Sequence, residues 1–204
     1  MTSDLAQHHV YGASGFEALM GCPGKPVMEL GLPDSYSPAA DEGSAAHFLS
    51  ATCLQNGKNP IDYRHFGIVC WQKDGERDGQ CFAPFVGSSA SEGAKERSLW
   101  KVTEEMADCV TEYVDFVRKL AKKGTLLIEQ RVHFGSAIGL DGAFGTSDAL
   151  ILSEDGTELT VIDLKYGFRE VSAKENPQMM LYALGAMEGI ISEIEGVFEV
   201  EDLV

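Results

Sequence analysis

The sequence predicts an α/β (α+β) fold in which a central mixed sheet with an antiparallel hairpin is flanked by helices. Three observations support this prediction. A long amphipathic helix pattern covers Ser98–Lys123, three strand-like segments follow within 125–166, and a further helix pattern runs over Pro177–Gly189. We interpret 1–204 as one domain, since this length suffices for a single sizeable core.

Helical spacing of apolar residues defines the helices before the strands. Residues 1–40 are rich in Gly, Pro and Ser and predict loops around a short helix near Gly15–Met20. A helix over 41–56 follows, with Asp41 or Ser44 as its N-cap. We predict an irregular or helical insertion over 57–98, in which QKDGERDGQ (72–80) has the composition of an exposed loop. The first half of this insertion could contain a small helix or a hairpin. With the long helix, this insertion extends over 57–123.

The predicted core occupies 125–189 and starts with three strands. Their expected ranges are Thr125–Phe134, Phe144–Ser153 and Glu158–Tyr166. The turn residues Ser153 to Gly156 join the last two strands into a hairpin.

The composition excludes some classes of protein and disfavours another. No apolar run approaches the ~20 residues of a membrane span, and no secretory signal is visible at the N-terminus. The five cysteines include no C-x-x-C pair, which favours thiols in a reducing cytoplasm over disulfides or zinc. The net charge of -16 argues against a nucleic-acid partner, although a local concentration of basic residues remains compatible with one. These residues are Arg118, Lys119, Lys122, Lys123, Arg131, Lys165, Arg169 and Lys174.

Two acidic residues lie at symmetric positions in the predicted hairpin. Asp148 precedes the turn centre, between Asp155 and Gly156, by as many residues as Asp163 follows it. Side chains alternate along a strand, so Asp163 and Lys165 share a face and Asp148 can lie opposite Asp163. Converging carboxylates repel each other unless a cation neutralises them, and oxygen ligands suit Mg²⁺ or Mn²⁺. A lysine beside such an ion can stabilise charge that develops on a phosphate.

The helix after the hairpin carries two more polar residues on one face. Gln178 and Tyr182 are four residues apart, directly downstream of the D-x-K strand. Taken separately, a D-x-K pair is most often a solvated ion pair, and a Gln–Tyr pair is most often a surface amide beside a half-buried ring. Their order and spacing together favour a site.

This combination resembles the PD-(D/E)xK nuclease superfamily, specifically its RecB-type branch. The N-terminal stretch HHVYGASG...CPGKP, followed by DEGSAAH, is similar to a phage and prophage group within that branch. The resemblance covers about 41–185 and rests on Gly43-x-x-x-His47, Gly145-x-x-Asp148, the stretch Ile162–Gly167 and Gln178-x-x-x-Tyr182. It implies a restriction-endonuclease-like core. It also implies a metal-dependent deoxyribonuclease, expected to be a phage exonuclease that processes duplex ends for recombination.

The resemblance also implies a role for each motif residue. Asp148 and Asp163 would be metal ligands as well as catalytic residues, and Lys165 would be the catalytic lysine. His47 would be an additional ligand, and the backbone carbonyl of Leu164 a further one.

Three residues would support the site from outside. Gln178 and Tyr182 would either position the DNA backbone or brace the site. Glu129 is a candidate outer acid, with a role as an ordinary strand-end charge equally open.

The cofactor and the partners follow from the same resemblance. We expect Mg²⁺ or Mn²⁺, and no iron–sulfur cluster, because no cysteine follows Cys109. Asp163 occupies a position where many relatives have Glu. The expected partners are DNA, as duplex ends or a single strand, and a single-strand annealing protein. A catalytically silent module that binds DNA or a host protein, and an endonuclease or nickase, remain open alternatives.

Overall fold

The computed structural model describes residues 11–29, 37–73, 76–83, 95–167 and 171–197. Its helices and strands confirm the α+β class. In chain order they are α1 (Phe16–Gly21), α2 (Lys25–Glu29), α3 (Pro38–Asn56), β1 (Gly67–Lys73), β2 (Glu76–Ala83), β3 (Lys95–Lys101), α4 (Glu104–Ala121), β4 (Gly124–His133), α5 (Gly135–Ile138), β5 (Phe144–Ser153), β6 (Leu159–Ile162) and α6 (Pro177–Val197).

The chain divides into two compact units, which are described separately. The first unit contains Met1–Leu30, Glu129–Asp163 and Ser172–Val204. The second unit contains Gly31–Ile128 and Leu164–Val171.

The first unit contains the predicted hairpin, which is confirmed. Strands β5 and β6 pair antiparallel from Ala149 opposite Ile162 to Leu152 opposite Leu159. In the turn, the Gly156 amide donates to the Ser153 carbonyl at 2.9 Å. The sheet has the order β4-β5-β6, and α6 packs against β5 and β6. The core of this unit consists of Ala13, Val132, Phe134, Ala143, Leu150, Leu181, Tyr182 and Ala186.

The third predicted strand is shorter than expected. The sequence predicts Glu158–Tyr166, but β6 ends at Ile162. The chain leaves the sheet there because the Asp163 carboxylate bonds to a side chain of α6, while Leu164 is buried within the second unit.

The second unit corrects the predicted irregular insertion, although the 3-10 helix Pro60–Tyr63 agrees with a small helix in its first half. Within 57–98 the structure contains β1, β2 and most of β3, which form an antiparallel sheet of order β2-β1-β3. The polar composition of residues 72–80 suggested a loop, but backbone hydrogen bonds hold a ladder whatever side chains it carries. Helix α4 therefore begins at Glu104, with the Thr103 hydroxyl as its cap, and not at Ser98.

Two further helix boundaries differ from the predicted ones. Helix α3 begins at Pro38, and its N-cap is Ser37 rather than Asp41 or Ser44. Asp41 is instead buried in the second unit, where its carboxylate accepts a hydrogen bond from the Ser98 hydroxyl at 2.8 Å.

Helix α6 continues beyond the predicted end at Gly189 to Val197.

The pairings of β1 with β2, β1 with β3, and β5 with β6 are all antiparallel, so none supplies the parallel pairing of a mixed sheet. Among the residues that the structure describes, no helix has the length and apolarity needed to cross a bilayer.

Candidate metal centre

The hairpin register places the two predicted acidic ligands at consecutive positions beyond the paired residues. The outermost pair of the ladder is Ala149 opposite Ile162, and the next residues along the chain are Asp148 on β5 and Asp163 directly after β6. This agrees with the symmetric spacing around the turn. Asp148 is buried on β5 with 8% of its surface exposed, and a carboxylate is seldom buried to this extent.

Helix α6 supplies an amide that holds Asp163. The Gln178 side-chain Nε2 donates to Asp163 Oδ1 at 3.0 Å and to the Tyr182 hydroxyl at 3.0 Å. The helix itself is capped by Asn176, whose side-chain oxygen accepts from the Gln178 backbone amide. Since Gln178 lies in the first helical turn, this cap helps to fix where its side chain begins.

Glu129 lies beside Asp148. A carboxylate oxygen of Glu129 is within 4.8 Å of one of Asp148. Strand order explains this proximity, because β4 is the neighbour of β5 in the sheet. Glu129 is also one of two described non-glycine residues with a positive φ, at 50°. That conformation is sparsely populated for a Glu and costs on the order of 1 kcal/mol or more.

Three acidic side chains affect the pKa of Tyr182. Burial is the main cause that raises the pKa of the Tyr182 phenol well above its usual value. The hydrogen bond from Gln178 opposes this rise, while the negative charges of Asp163, Asp148 and Glu129 add to it. All three carboxylates therefore act on one buried hydroxyl group.

The packing of Tyr182 explains the glycine of the G-x-x-D motif. A Cβ atom on Gly145 would lie 2.7 Å from Tyr182 Cε1, 3.2 Å from Ala13 Cβ and 3.5 Å from Phe134 Cε1. Only a glycine admits the tyrosine ring at this distance. Both motif residues were recognisable in the sequence. Their contact was not, because Gly145 lies on a strand and Tyr182 lies on a helix, 37 residues further along the chain.

The remaining predicted site residues belong to the second unit. His47 is half-buried on α3, Leu164 is buried and Lys165 is exposed. Their assignment as ligands and as catalytic lysine stays a prediction from the motifs.

The residue after Lys165 is anchored within the second unit. Burial is the main cause that raises the pKa of Tyr166 to about 12, followed by the charges of Glu42, Glu105 and Cys109 and by a hydrogen bond to Glu42. Glu42 lies on α3, so this contact joins the D-x-K segment to the helix that carries His47.

Two arginines of the predicted basic group make contacts within the protein. Arg118 donates to the carbonyls of Cys53 and Lys58 at 3.0 and 2.6 Å, and so satisfies groups at the C-terminal end of α3. Arg131 lies over the Phe144 ring, 4.5 Å from its centroid. Arg169 lies outside the described residues. These contacts leave the lysines as the more accessible part of the group.

The first unit offers donors that suit a hard cation. Glu129 and Asp148 present carboxylate oxygens within reach of a common ion, and Asp163 directly follows the end of β6. Oxygen-only donors of this kind fit Mg²⁺ or Mn²⁺ better than soft metals.

Comparison with known proteins identifies a family and no fold relative. A family model described as "Protein of unknown function (DUF2800)" matches residues 8–202. No solved structure matches the chain.

Proposed function

The chain belongs to the DUF2800 family, and we propose that it is a metal-dependent deoxyribonuclease that hydrolyses DNA phosphodiesters. One observation carries this proposal. Glu129 and Asp148 bring carboxylate oxygens within 4.8 Å of each other, and Asp163 directly follows Ile162, the residue of β6 that pairs with Ala149. Two carboxylates this close can share one divalent cation, which offsets the repulsion between their charges.

The cation would be Mg²⁺ or Mn²⁺, held by Asp148 and Asp163 with Glu129 as a third carboxylate. The motifs add His47 and the Leu164 carbonyl to this ligand set. A bound divalent ion supplies charge neutralisation and a more acidic water molecule. Lys165 would stabilise the negative charge that develops on the phosphate oxygens, because an ammonium group is a preorganised counter-charge.

The net charge limits how DNA can bind. At -16, the chain repels a polyanion over most of its surface, so the local lysines and the bound metal must supply the attraction. Binding should therefore weaken steeply with salt and require a divalent ion. Tight binding to DNA without metal at about 0.15 M salt would contradict this expectation.

The proposed substrate and mode of cleavage rest on the family resemblance. It implies an exonuclease that trims duplex ends for recombination and has a single-strand annealing protein as its partner. An endonuclease or nickase of the same fold would use the same residues and differ only in how DNA enters.

Digestion of end-labelled linear DNA and of closed circular DNA, with Mg²⁺ or with Mn²⁺, tests the proposal. Degradation of the linear substrate alone is the expected result. Cleavage of the circle would indicate an endonuclease or nickase. Binding without cleavage of either substrate would overturn the nuclease and favour a catalytically silent module that binds DNA or a host protein.

The control variant is Asp148→Asn. It keeps the size of the side chain and removes the negative charge of one proposed metal ligand. Cleavage should therefore be abolished while the protein remains folded. Full activity in this variant would refute the metal-site assignment.

The predicted role of His47 has a separate test. An imidazole ligand shifts metal preference from Mg²⁺ towards Mn²⁺. His47→Ala should therefore weaken Mn²⁺ binding in calorimetry and narrow the advantage of Mn²⁺ over Mg²⁺ in the cleavage assay. Unchanged Mn²⁺ affinity would remove His47 from the ligand set.

A further inference from the structure

The orientation of the Gln178 amide is determined by its neighbours. An ionised Asp163 carboxylate can only accept hydrogen bonds, so the amide NH₂ group, and not its oxygen, must face it. The same nitrogen lies 3.0 Å from the Tyr182 hydroxyl, which therefore accepts the second N–H. One amide group thus bridges the helix face and the acid at the end of β6.

Tyr182 is too deeply buried to contact a substrate. Only 4% of its surface is exposed, and its ring is enclosed by Ala13, Phe134 and Gly145. A residue that positions the DNA backbone needs an accessible side chain. Tyr182 has instead a fixed ring and a hydroxyl group that points to Gln178.

This arrangement fixes the amide from both ends. The packed ring of Tyr182 immobilises the hydroxyl oxygen, and the cap at Asn176 fixes the start of the helix on which Gln178 lies. The amide can then hold the Asp163 carboxylate in one rotamer, although Asp163 lies beyond the end of the strand that would otherwise orient it.

We infer that Gln178 and Tyr182 are positioning residues that orient Asp163 for metal binding and make no contact with DNA. The inference rests on the proposed function, because it assigns their role relative to the metal of that site. Outer hydrogen bonds of this kind typically contribute about 10- to 100-fold to metal affinity or activity.

The test compares two variants for metal binding and for steady-state cleavage. Gln178→Met keeps the length of the side chain and removes both donors, and Tyr182→Phe keeps the ring and removes the acceptor. For Gln178→Met we expect Mn²⁺ affinity and kcat to fall about 10- to 100-fold, with KM for linear duplex within about twofold of wild type. Tyr182→Phe should show a smaller loss of the same kind, and the double variant should lose little more than Gln178→Met.

Gln55→Met is the matched control, since it makes the same exchange at an exposed position of a helix in the second unit. It should leave Mn²⁺ affinity, kcat and KM unchanged. Tyr182→Phe also guards against a folding defect, because it preserves the packed ring.

Four outcomes are distinct. A loss of Mn²⁺ affinity and kcat at constant KM supports positioning. A raised KM with normal Mn²⁺ affinity and kcat overturns it and assigns the pair to DNA contact, and wild-type values for both variants overturn it as well. A wild-type protein that binds Mn²⁺ but does not cleave DNA refutes the nuclease, while the calorimetric comparison still decides whether Gln178 orients a metal ligand.

Discussion

The contact between Gly145 and Tyr182 can be tested by adding one methyl group. In Gly145→Ala, the new Cβ would lie 2.7 Å from Tyr182 Cε1 and 3.2 Å from Ala13 Cβ. The tyrosine ring cannot swing out, because Tyr182 is buried and Phe134 beside it is fully enclosed. Overpacking of this kind costs about 1–3 kcal/mol.

A comparison with a second glycine removes the general effect of the Gly→Ala exchange. Alanine loses less backbone entropy on folding than glycine, which contributes about 0.5–1 kcal/mol in its favour. We therefore expect Gly145→Ala to destabilise the protein by up to about 2.5 kcal/mol net. Gly43 lies in the middle of α3, and a Cβ there would meet nothing within 4 Å. Gly43→Ala should stabilise the protein by about 0.5–1 kcal/mol.

Urea unfolding followed by circular dichroism measures both changes, and tryptophan fluorescence separates the units. Trp71 and Trp100 both belong to the second unit, so the fluorescence midpoint should rise for Gly43→Ala. In Gly145→Ala the cleavage rate should also fall, because a displaced ring moves the hydroxyl group that Gln178 bonds. A Gly145→Ala protein with wild-type stability and full activity would refute this reasoning.

Three further predictions concern catalysis, backbone strain and pH. Lys165→Ala should lose most of the cleavage rate yet bind Mn²⁺ normally in calorimetry, since an ammonium is no metal ligand; loss of Mn²⁺ binding would indicate a structural ion pair instead. Glu129→Gly relieves a positive φ, so the metal-free protein should melt no lower than wild type while cleavage is lost; Glu175→Gly, which relieves a φ of 55°, is the control that should keep its activity. Burial raises the pKa of the Cys53 thiol from 9.0 to about 11, against the lowering effect of Arg118. The folded state thus holds this proton more tightly than the unfolded state. The resulting stabilisation is complete below pH 9.0 and is lost as the pH rises towards about 11. Urea midpoints across this range should fall less in Cys53→Ala than in wild type, and an equal fall would contradict the assignment.

The features that the sequence predicted correctly depend on local periodicity. The hairpin between β5 and β6 could be predicted because the turn and the alternation of side chains set its register, and that register leads to Asp148 and Asp163. The helical segment from Pro177 was visible from its spacing, which placed Gln178 and Tyr182 on one face. Each of these relations spans few residues or a single turn, so neighbouring residues contain the information.

The features that only the tertiary structure decided join distant parts of the chain. Sheet order put β4 beside β5 and so brought Glu129 to Asp148, whereas periodicity within a strand does not specify its neighbour. Composition suggested a loop where backbone pairing makes β1 and β2, since ladder hydrogen bonds do not depend on side chains. Arg118, which by charge alone was a candidate for DNA binding, instead bonds carbonyls at the end of α3.

The site shows the same division. Its acids and its amide were recognisable as residue types, because their chemistry belongs to each side chain. Their partners were not, because the bond from Gln178 to Asp163 and the contact of Tyr182 with Gly145 form only when α6 packs on the sheet. Packing in three dimensions therefore decided which polar groups meet, and a linear pattern contains no distance between elements that are far apart in the chain.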